Sequence, residues 1–326
     1  MQENSRTETE LTQVRKVRVG ADRAGQRIDN FLRGELPGVP KGRLYRLLRR
    51  GEVRVNGGRI KAEYKLREGD EVRIPPARIK RDGPPPPEAR AVAMLDEVLY
   101  EDKRLLVVNK PAGLAVHGGS GIDYGVIELL RHARPDLKEL GLVHRLDRET
   151  SGCLVMAKRR SALRDLHARF REGRVEKNYL ALVVGDWQYG EQLIEVPLLV
   201  SNRRGGERHV IASDKGKPAR TRVALSRTYG VYSLLRCAPE TGRTHQIRVH
   251  LQHAGHPIAG DERYGDEAAN SEARRFGLQR LFLHAQSIAF ADDSGNDLHF
   301  TAPLAPDLEE FLTVGVIEAQ REKKSR

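Results

Sequence analysis

Cysteine is nearly missing from this 326-residue chain. It has only Cys153 and Cys237, each inside an apolar stretch. Two such thiols supply neither a disulfide framework nor a zinc set, which fits a reducing compartment. No apolar run approaches the roughly 18 residues needed to cross a bilayer, and the polar N-terminus has no signal-peptide core. A cytoplasmic protein is expected. The one Gly-rich loop, residues 116–121, is not followed by Gly-Lys-Ser/Thr, which argues against a nucleotide P-loop. Acidic residues fall short of basic ones, 45 against 57, leaving a net charge of +12. So basic a balance calls for a polyanionic partner, nucleic acid before an acidic membrane face.

The length suggests about two domains. Residues 1–18 are expected to form an unstructured arm, although Val14, Val17 and Val19 have strand spacing. Residues 19–76 read as a small unit. Ile28, Phe31 and Leu32 recur at helical spacing, as do Leu44, Leu47 and Leu48, with a Gly38-Val39-Pro40 turn between them. Arg43, Arg46 and Arg50 fall opposite the second set of leucines, so one helix carries an apolar face and a cationic one. Charges of a single sign argue against ordinary ion-pair lacing. Val53-Arg54-Val55, the turn Asn56-Gly57-Gly58 and residues 71–74 carry strand and hairpin signals. Residues 77–94, with four consecutive prolines, read as an extended spacer. A larger domain then fills 95–318, and 319–326 form a basic tail.

Within the larger domain the chemistry centres on His144-Arg145-Leu146-Asp147-Arg148-Glu149-Thr150-Ser151-Gly152. Leu142 and Val143 enter as a short apolar strand, and residues 153–157 leave as another, with a Thr-Ser-Gly turn before them. In extended chain Arg145 and Asp147 share a face. A guanidinium there favours an ionised carboxylate, fit to act as nucleophile or base. A surface ion pair at a hairpin would have the same spacing. Residues 105–109 predict a buried strand, 126–132 a helix, and Ser161 a cap for a helix striped by Leu163, Leu166 and Phe170. Residues 177–185 read as a strand with Tyr179 near its start, where a packing role is the ordinary one. Residues 191–238 are β-rich, with alternation at Thr221, Val223 and Leu225. Ile247, Leu251 and Ala254 share one face of a helix for which Thr244 is the natural cap. Arg248 then sits near the helix N-terminus, where the macrodipole gives a cation nothing, so a carboxylate or phosphate is expected to hold it. His245, His250, His253 and His256 lie close in sequence, but no His-Glu-x-x-His or cysteine pair accompanies them and a metal site is not expected. Residues 260–265 read as a loop and 281–285 as a final strand.

His-Arg-Leu-Asp followed by Thr-Ser-Gly resembles the catalytic motif of the RNA pseudouridine synthases of the large-subunit ribosomal type. Asn109-Lys110-Pro111-x-Gly113 is similar to that family's first block, Lys177-x-Tyr179-x-Ala181 to its second, and residues 240–251 to its third. His117-Gly118-Gly119-Ser120-Gly121 resembles one ribosomal large-subunit subgroup. The order helix, Arg-rich helix, Val-Asn-Gly turn resembles the RNA-binding domain named after ribosomal small-subunit protein four. The resemblance implies an α/β fold with a mainly antiparallel mixed sheet behind a small RNA-binding domain. It implies Asp147 as the catalytic residue, Tyr179 and Ile247 lining a uridine pocket, and Arg248 paired with Asp147, with Arg145 close by. Arg27, Lys41, Arg43, Arg46, Arg49 and Arg50 match the small domain's basic positions, and Lys110 and Arg243 are expected at the RNA. Isomerising uridine consumes no oxidant or phosphate, so no cofactor is expected. The implied partner is large-subunit ribosomal RNA, bound by a monomer. A non-catalytic RNA-binding or assembly factor would explain the charge but not the conjunction of Asp147, Tyr179 and Arg248.

Overall fold

A computed structural model describes residues 9–11, 13–36, 39, 41–79, 85–119, 122–202 and 208–318. Residues 1–8 and 12 of the expected arm, residues 80–84 of the spacer, Pro37, Gly38, Pro40, Ser120, Gly121, residues 203–207 and the basic tail lie outside the described residues. The chain divides into two compact units, Met1–Pro85 and Pro86–Arg326.

In the first unit the strands are β1 (Thr9–Leu11), β2 (Arg15–Arg18), β3 (Arg54–Val55), β4 (Glu71–Ile74) and β5 (Ala77–Ile79). The helices are α1 (Ile28–Glu35) and α2 (Lys41–Arg50). Strands β2, β4 and β3 form an antiparallel sheet in that order. Both leucine-bearing helical faces close on it, burying Ile28, Phe31, Leu32, Leu44, Leu47 and Leu48 with Val53, Val55, Val72 and Ile74. Each such side chain contributes roughly 1.5–3 kcal/mol. The Asn56-Gly57 turn forms with φ of 50° and 77°, a conformation Asn and Gly tolerate. Val55 bridges Gly58 across the turn, and strand β3 pairs along its length with the distant β4. Two expectations need correcting here. Thr9–Leu11 is no loose arm but pairs with Ala77–Ile79, and that pairing takes residues 77–79 out of the spacer.

The second unit begins with α3 (Glu88–Asp96), again inside the expected spacer, where Ala91 and Met94 are buried. Then follow β6 (Val98–Glu101), β7 (Leu105–Lys110), α4 (Val126–Ala133), β8 (Gly141–Leu142), β9 (Ser151–Ala157), α5 (Arg160–Arg171) and β10 (Glu176–Val184). The chain continues through β11 (Gln192–Glu195), β12 (Leu198–Asn202), β13 (Arg208–Ala212), β14 (Arg220–Tyr229), β15 (Tyr232–Pro239) and α6 (Gln246–His253). It ends with α7 (Glu267–Arg275), β16 (Leu283–Ala291), β17 (Asp297–Thr301) and α8 (Pro306–Glu310).

Ten strands make one mixed sheet, whose main path is β11-β14-β15-β10-β16-β9-β7-β6, with β17 on β16 and β8 on β9. All its described pairings are antiparallel except β9 with β16. Strand β9 is buried at every position, because both faces of the sheet centre are covered. One side packs under α3 and α4, the other under α5 and the β16–β17 hairpin. A strand covered on both faces shows a continuous apolar run in place of alternation. Near the sheet edge β14 does alternate, with Thr221 and Val223 buried, but Leu225, just before a register shift, is exposed. Strand β16 is not the last, since β17 pairs back onto it.

Three local expectations fail for identifiable reasons. Ser161 lies inside α5, whose N-cap is Arg159 without a side-chain cap bond. Ser151 and Gly152 belong to β9, and the turn before them is closed by the Thr150 amide donating to the Asp147 carbonyl at 3.1 Å. The cap of α6 is His245, at φ 53° and ψ 21°, and not Thr244.

Candidate active site

The segment between β8 and β9 carries Asp147. Val143 and Leu146 turn inward and are buried, which anchors the segment on both sides of His144 and Arg145. The imidazole Nε2 of His144 accepts from the Val155 amide at 3.0 Å, so its proton sits on Nδ1. Burial, with the nearby Lys177 charge adding, pushes His144 down to about 3, and it stays neutral. Gly152 has φ of +110°, and a side chain there would overlap the Ala285 carbonyl. Only glycine lets β16 run parallel beside the exit of this segment.

Lys110 completes the anchoring. It is fully buried, and its Nζ donates to the carbonyls of Pro111 at 2.7 Å, Leu114 at 2.7 Å and Arg148 at 3.0 Å. Three ammonium hydrogens meet three acceptors, one of them in the residue after Asp147. Burial pulls the Lys110 pKa down to about 7, with the Glu149 and Asp147 charges opposing. Lys110 is therefore unavailable to an RNA phosphate, and the expectation of an RNA contact there is corrected. It is an internal tie for the Asp147 segment.

Arg248 and His245 face the carboxylate. Asp147 Oδ2 lies 3.9 Å from Arg248 Nη1 and 3.9 Å from His245 Nε2. Arg248, 8% exposed, is gripped from its other side by Asp261. Its Nε and Nη2 each donate to one Asp261 oxygen at 2.7 Å. Asp261 also accepts from the Arg263 amide at 2.9 Å and the Tyr264 amide at 3.0 Å. Burial works against the charge on both partners, yet their hydrogen bonds prevail, holding Arg248 above and Asp261 below its ordinary value. The guanidinium also sits over the Tyr264 ring, 4.9 Å from its centroid. The Tyr264 hydroxyl is within 2.8 Å of His245 Nδ1 and accepts from the Val210 amide at 3.0 Å. Bidentate pairing fixes the plane of the guanidinium and leaves Nη1 as the edge offered to Asp147.

His245 occupies the left-handed region, where a non-glycine residue is strained. The next residue, the buried Gln246, holds the backbone there. Its amide oxygen accepts from the Thr241 hydroxyl at 2.6 Å and the Arg243 amide at 3.0 Å. Its amide nitrogen donates to the Arg220 carbonyl at 2.8 Å and the Thr221 hydroxyl at 2.9 Å. Burial lowers the His245 pKa, the Asp147 charge opposing and Arg248 adding.

These groups open onto a cavity of about 310 Å³ lined by residues 143–147, Thr150, Phe170, Lys177, Tyr179, Pro239, residues 241–248 and Leu283. Tyr179 forms part of its wall, and no protein group hydrogen-bonds its hydroxyl among the described residues. Burial, then the Asp147 charge, raises the hydroxyl pKa, so it stays protonated. Ile247 lines the cavity and is also a core residue at 6% exposure. Arg145 is exposed at the wall and is not among the cations within 4.0 Å of Asp147. Its expected pairing is therefore not seen. Arg148 turns to Glu149 at 2.8 Å instead. Arg243 is exposed at the opening, with Nε donating to the Pro218 carbonyl at 3.0 Å.

The four histidines do not converge. His250 is bound to the Thr221 hydroxyl and the Val196 carbonyl at 2.9 and 3.0 Å, and His256 Nδ1 lies 3.1 Å from the Val184 carbonyl. No metal-holding group forms among the described residues. In the first unit Arg43, Arg46, Arg49 and Arg50 are exposed, and among the described residues only Arg50 of the four meets a carboxylate, Glu52 at 4.0 Å. Arg27 is held by Asp29 through two hydrogen bonds of 3.1 and 2.8 Å, and the Lys41 side chain lies outside what is described.

Sequence reasoning had no role for Asp261 or Tyr264 and weighed His245 only as a metal ligand. One signal was present, since Arg248 called for a counter-charge and Asp261 is a nearby carboxylate beyond the helix.

Comparison with known proteins covers both units. Residues 104–253 match the RNA pseudouridylate synthase family and residues 26–72 the S4 domain. The chain is 52% identical over 312 residues to the ribosomal large subunit pseudouridine synthase C of Salmonella typhi, covering 94% of this chain and 98% of that protein. It is 52% identical over 310 residues to that of Escherichia coli K12, covering 93% and 97%, and 51% identical over 316 residues to that of Pasteurella multocida, covering 96% and 95%. Among solved structures, human RNA pseudouridylate synthase domain containing 4 superposes with a TM-score of 0.58 at 25% identity, over 72% of this chain and 96% of that one. Human RNA pseudouridylate synthase domain containing 1 gives 0.54 at 29%, over 65% and 85%. With the anchored carboxylate, the cavity beside it and relatives matched nearly end to end, the chain belongs to the RNA pseudouridine synthase family.

Proposed function

We propose that this enzyme converts specific uridines of large-subunit ribosomal RNA to pseudouridine in the cytoplasm, with Asp147 as its catalytic group. One observation carries the assignment. The Asp147 carboxylate lies in a cavity wall, tied from behind through Lys110 and faced by an Arg248 whose other edge Asp261 holds. A surface ion pair needs none of that support, whereas a reacting carboxylate needs all of it.

The reaction detaches uracil from C1′ of the ribose and rejoins it through C5. The N1–C1′ bond breaks and a C1′–C5 bond forms, while C5 gives up its proton and N1 gains one. The target base must first leave its stack. Tyr179 then offers a ring for the extruded base, and its neutral hydroxyl is free to hydrogen-bond the nucleoside. Arg248 faces and orients Asp147, with Asp261 as the positioning residue behind it. The exposed arginines on α2 supply sequence-independent contacts to the RNA backbone, and Arg243 and Arg145 supply contacts at the cavity opening. Relatives named for the large ribosomal subunit support the substrate class.

The test is a map of pseudouridines in ribosomal RNA from cells lacking the protein. Specific large-subunit positions should revert to uridine, return with the wild-type gene, and stay unmodified with Asp147→Asn. An unaltered large-subunit map would refute the substrate, and restoration by the variant would refute the role of Asp147.

A further inference from the structure

Lys177 is the one cavity-lining charge that the scheme above leaves unused. It precedes Tyr179 by two positions on β10, just before a register shift between Asn178 and Tyr179, and both side chains line the cavity. Its charge is felt by His144, which also lines the cavity. The side chain is largely withdrawn from bulk water, and burial lowers its pKa with no carboxylate opposing the shift. Among the described residues Nζ has neither a hydrogen bond nor an ion pair.

Lys110 is buried too, but there three carbonyls take the three ammonium hydrogens. Lys177 has the burial without the acceptors. A half-buried ammonium with no counter-charge is costly, and the cost is offset only when a guest supplies negative charge. Asp147 does not fill that role, because the basic side chains within 4.0 Å of it are Arg248 and His245.

Pseudouridine formation generates negative charge in the guest. When the N1–C1′ bond breaks, its electron pair leaves with the base and spreads over O2 and O4. We propose that Lys177 is a catalytic residue that donates a hydrogen bond to a pyrimidine oxygen of the extruded uridine and stabilises the charge this oxygen acquires as the base detaches. The ammonium stays protonated throughout and no further reactant enters. The C5 proton goes to solvent and N1 is protonated once C5 has bonded to C1′. A donor whose partner becomes charged only on the way to the transition state raises kcat more than it improves binding. This inference rests on the proposed isomerase reading.

The test uses full-length wild type, Lys177→Met and Lys177→Arg on target RNA, with single-turnover rate and RNA Kd measured separately. Lys177→Met should lose about 100-fold in rate, the usual effect of one missing oxyanion donor, with Kd nearly unchanged, and Lys177→Arg should recover part of the loss. Replacing the target uridine by 5-fluorouridine, whose base bears negative charge more easily, should narrow the gap between Lys177→Met and wild type. That arm is followed as loss of the starting nucleoside after nuclease digestion. If Lys177→Met melts well below wild type, Lys177→Gln serves in its place. A full rate in Lys177→Met would overturn the inference, as would a loss confined to Kd, which would mark a phosphate contact. An equal defect on both nucleosides would also overturn it. A wild type inert on every uridine would sink the isomerase reading instead, so the two failures are distinguishable.

Discussion

Replacing Asp261 by Asn keeps the shape of the side chain and removes its charge. In the wild type both Asp261 oxygens accept from Arg248 at 2.7 Å, within a pair that is almost fully buried. The variant leaves a buried guanidinium without its counter-ion and turns an amide donor toward a donor. Breaking one side of a buried pair costs about 3–5 kcal/mol. Arg248 still has Asp147 within reach, at 3.9 Å, so the lower end, about 3 kcal/mol, is expected. For a unit of this size that is a fall of roughly 6–12 °C in Tm. The guanidinium should then swing toward Asp147, and turnover should drop although Asp261 does not line the cavity. Scanning calorimetry and single-turnover assays at one RNA concentration read both effects. The pH dependence gives an independent check. The Asp261 pKa lies below its ordinary 3.8 in the folded protein, through the Arg248 hydrogen bonds overcoming burial. Its stabilisation is therefore fully present above about pH 3.8 and is lost as pH falls through the folded value. The Tm gap between wild type and Asp261→Asn should be flat near neutrality and close in acid. A variant with wild-type Tm and turnover at pH 7 would refute the idea that Asp261 holds Arg248 in place.

Lys110→Met should leave three part-buried carbonyls without their donor, at up to about 1–3 kcal/mol each, lowering Tm and kcat while leaving RNA Kd in place. A variant that lost only RNA affinity would restore the discarded phosphate-contact role. Changing Arg43, Arg46, Arg49 and Arg50 together to Gln should reduce the slope of log K against log salt by up to about 3–3.6, at roughly 0.7–0.9 per phosphate contact. An unchanged slope would remove α2 from the RNA interface. Tyr179→Leu should weaken substrate binding by about 1–3 kcal/mol through lost stacking, whereas Tyr179→Phe should keep most of it. Equal losses in the two variants would assign the contribution to the hydroxyl.

What could be read in the sequence was what local pattern determines. The leucine spacing of α1 and α2, the apolar runs of β7 and β9 and the stripe of α6 need only their own neighbours to be recognised. The Asp147 motif was equally local. What escaped depended on distant partners. Thr9–Leu11 is a strand only because Ala77–Ile79 is there to pair with it. Lys110 looks like any surface lysine until three carbonyls are folded around it. Arg248 announced that it needed a counter-charge, but finding Asp261 as its main partner required the approach of the Gly260–Gly265 loop. Helix α7 was missed because its buried stripe is only Asn270 and Ala273, too little to stand out. The cap of α6 was misassigned because Gln246, reaching back to Thr241 and Arg243, stabilises a left-handed His245 that propensity alone would not choose.

The most direct measurement is tritium release from large-subunit ribosomal RNA carrying uridine labelled at C5, with wild type and Asp147→Asn compared at equal RNA occupancy. The account predicts release by the wild type and none by the variant. Release by Asp147→Asn, or retention of the label by a wild type that binds the RNA, would contradict it.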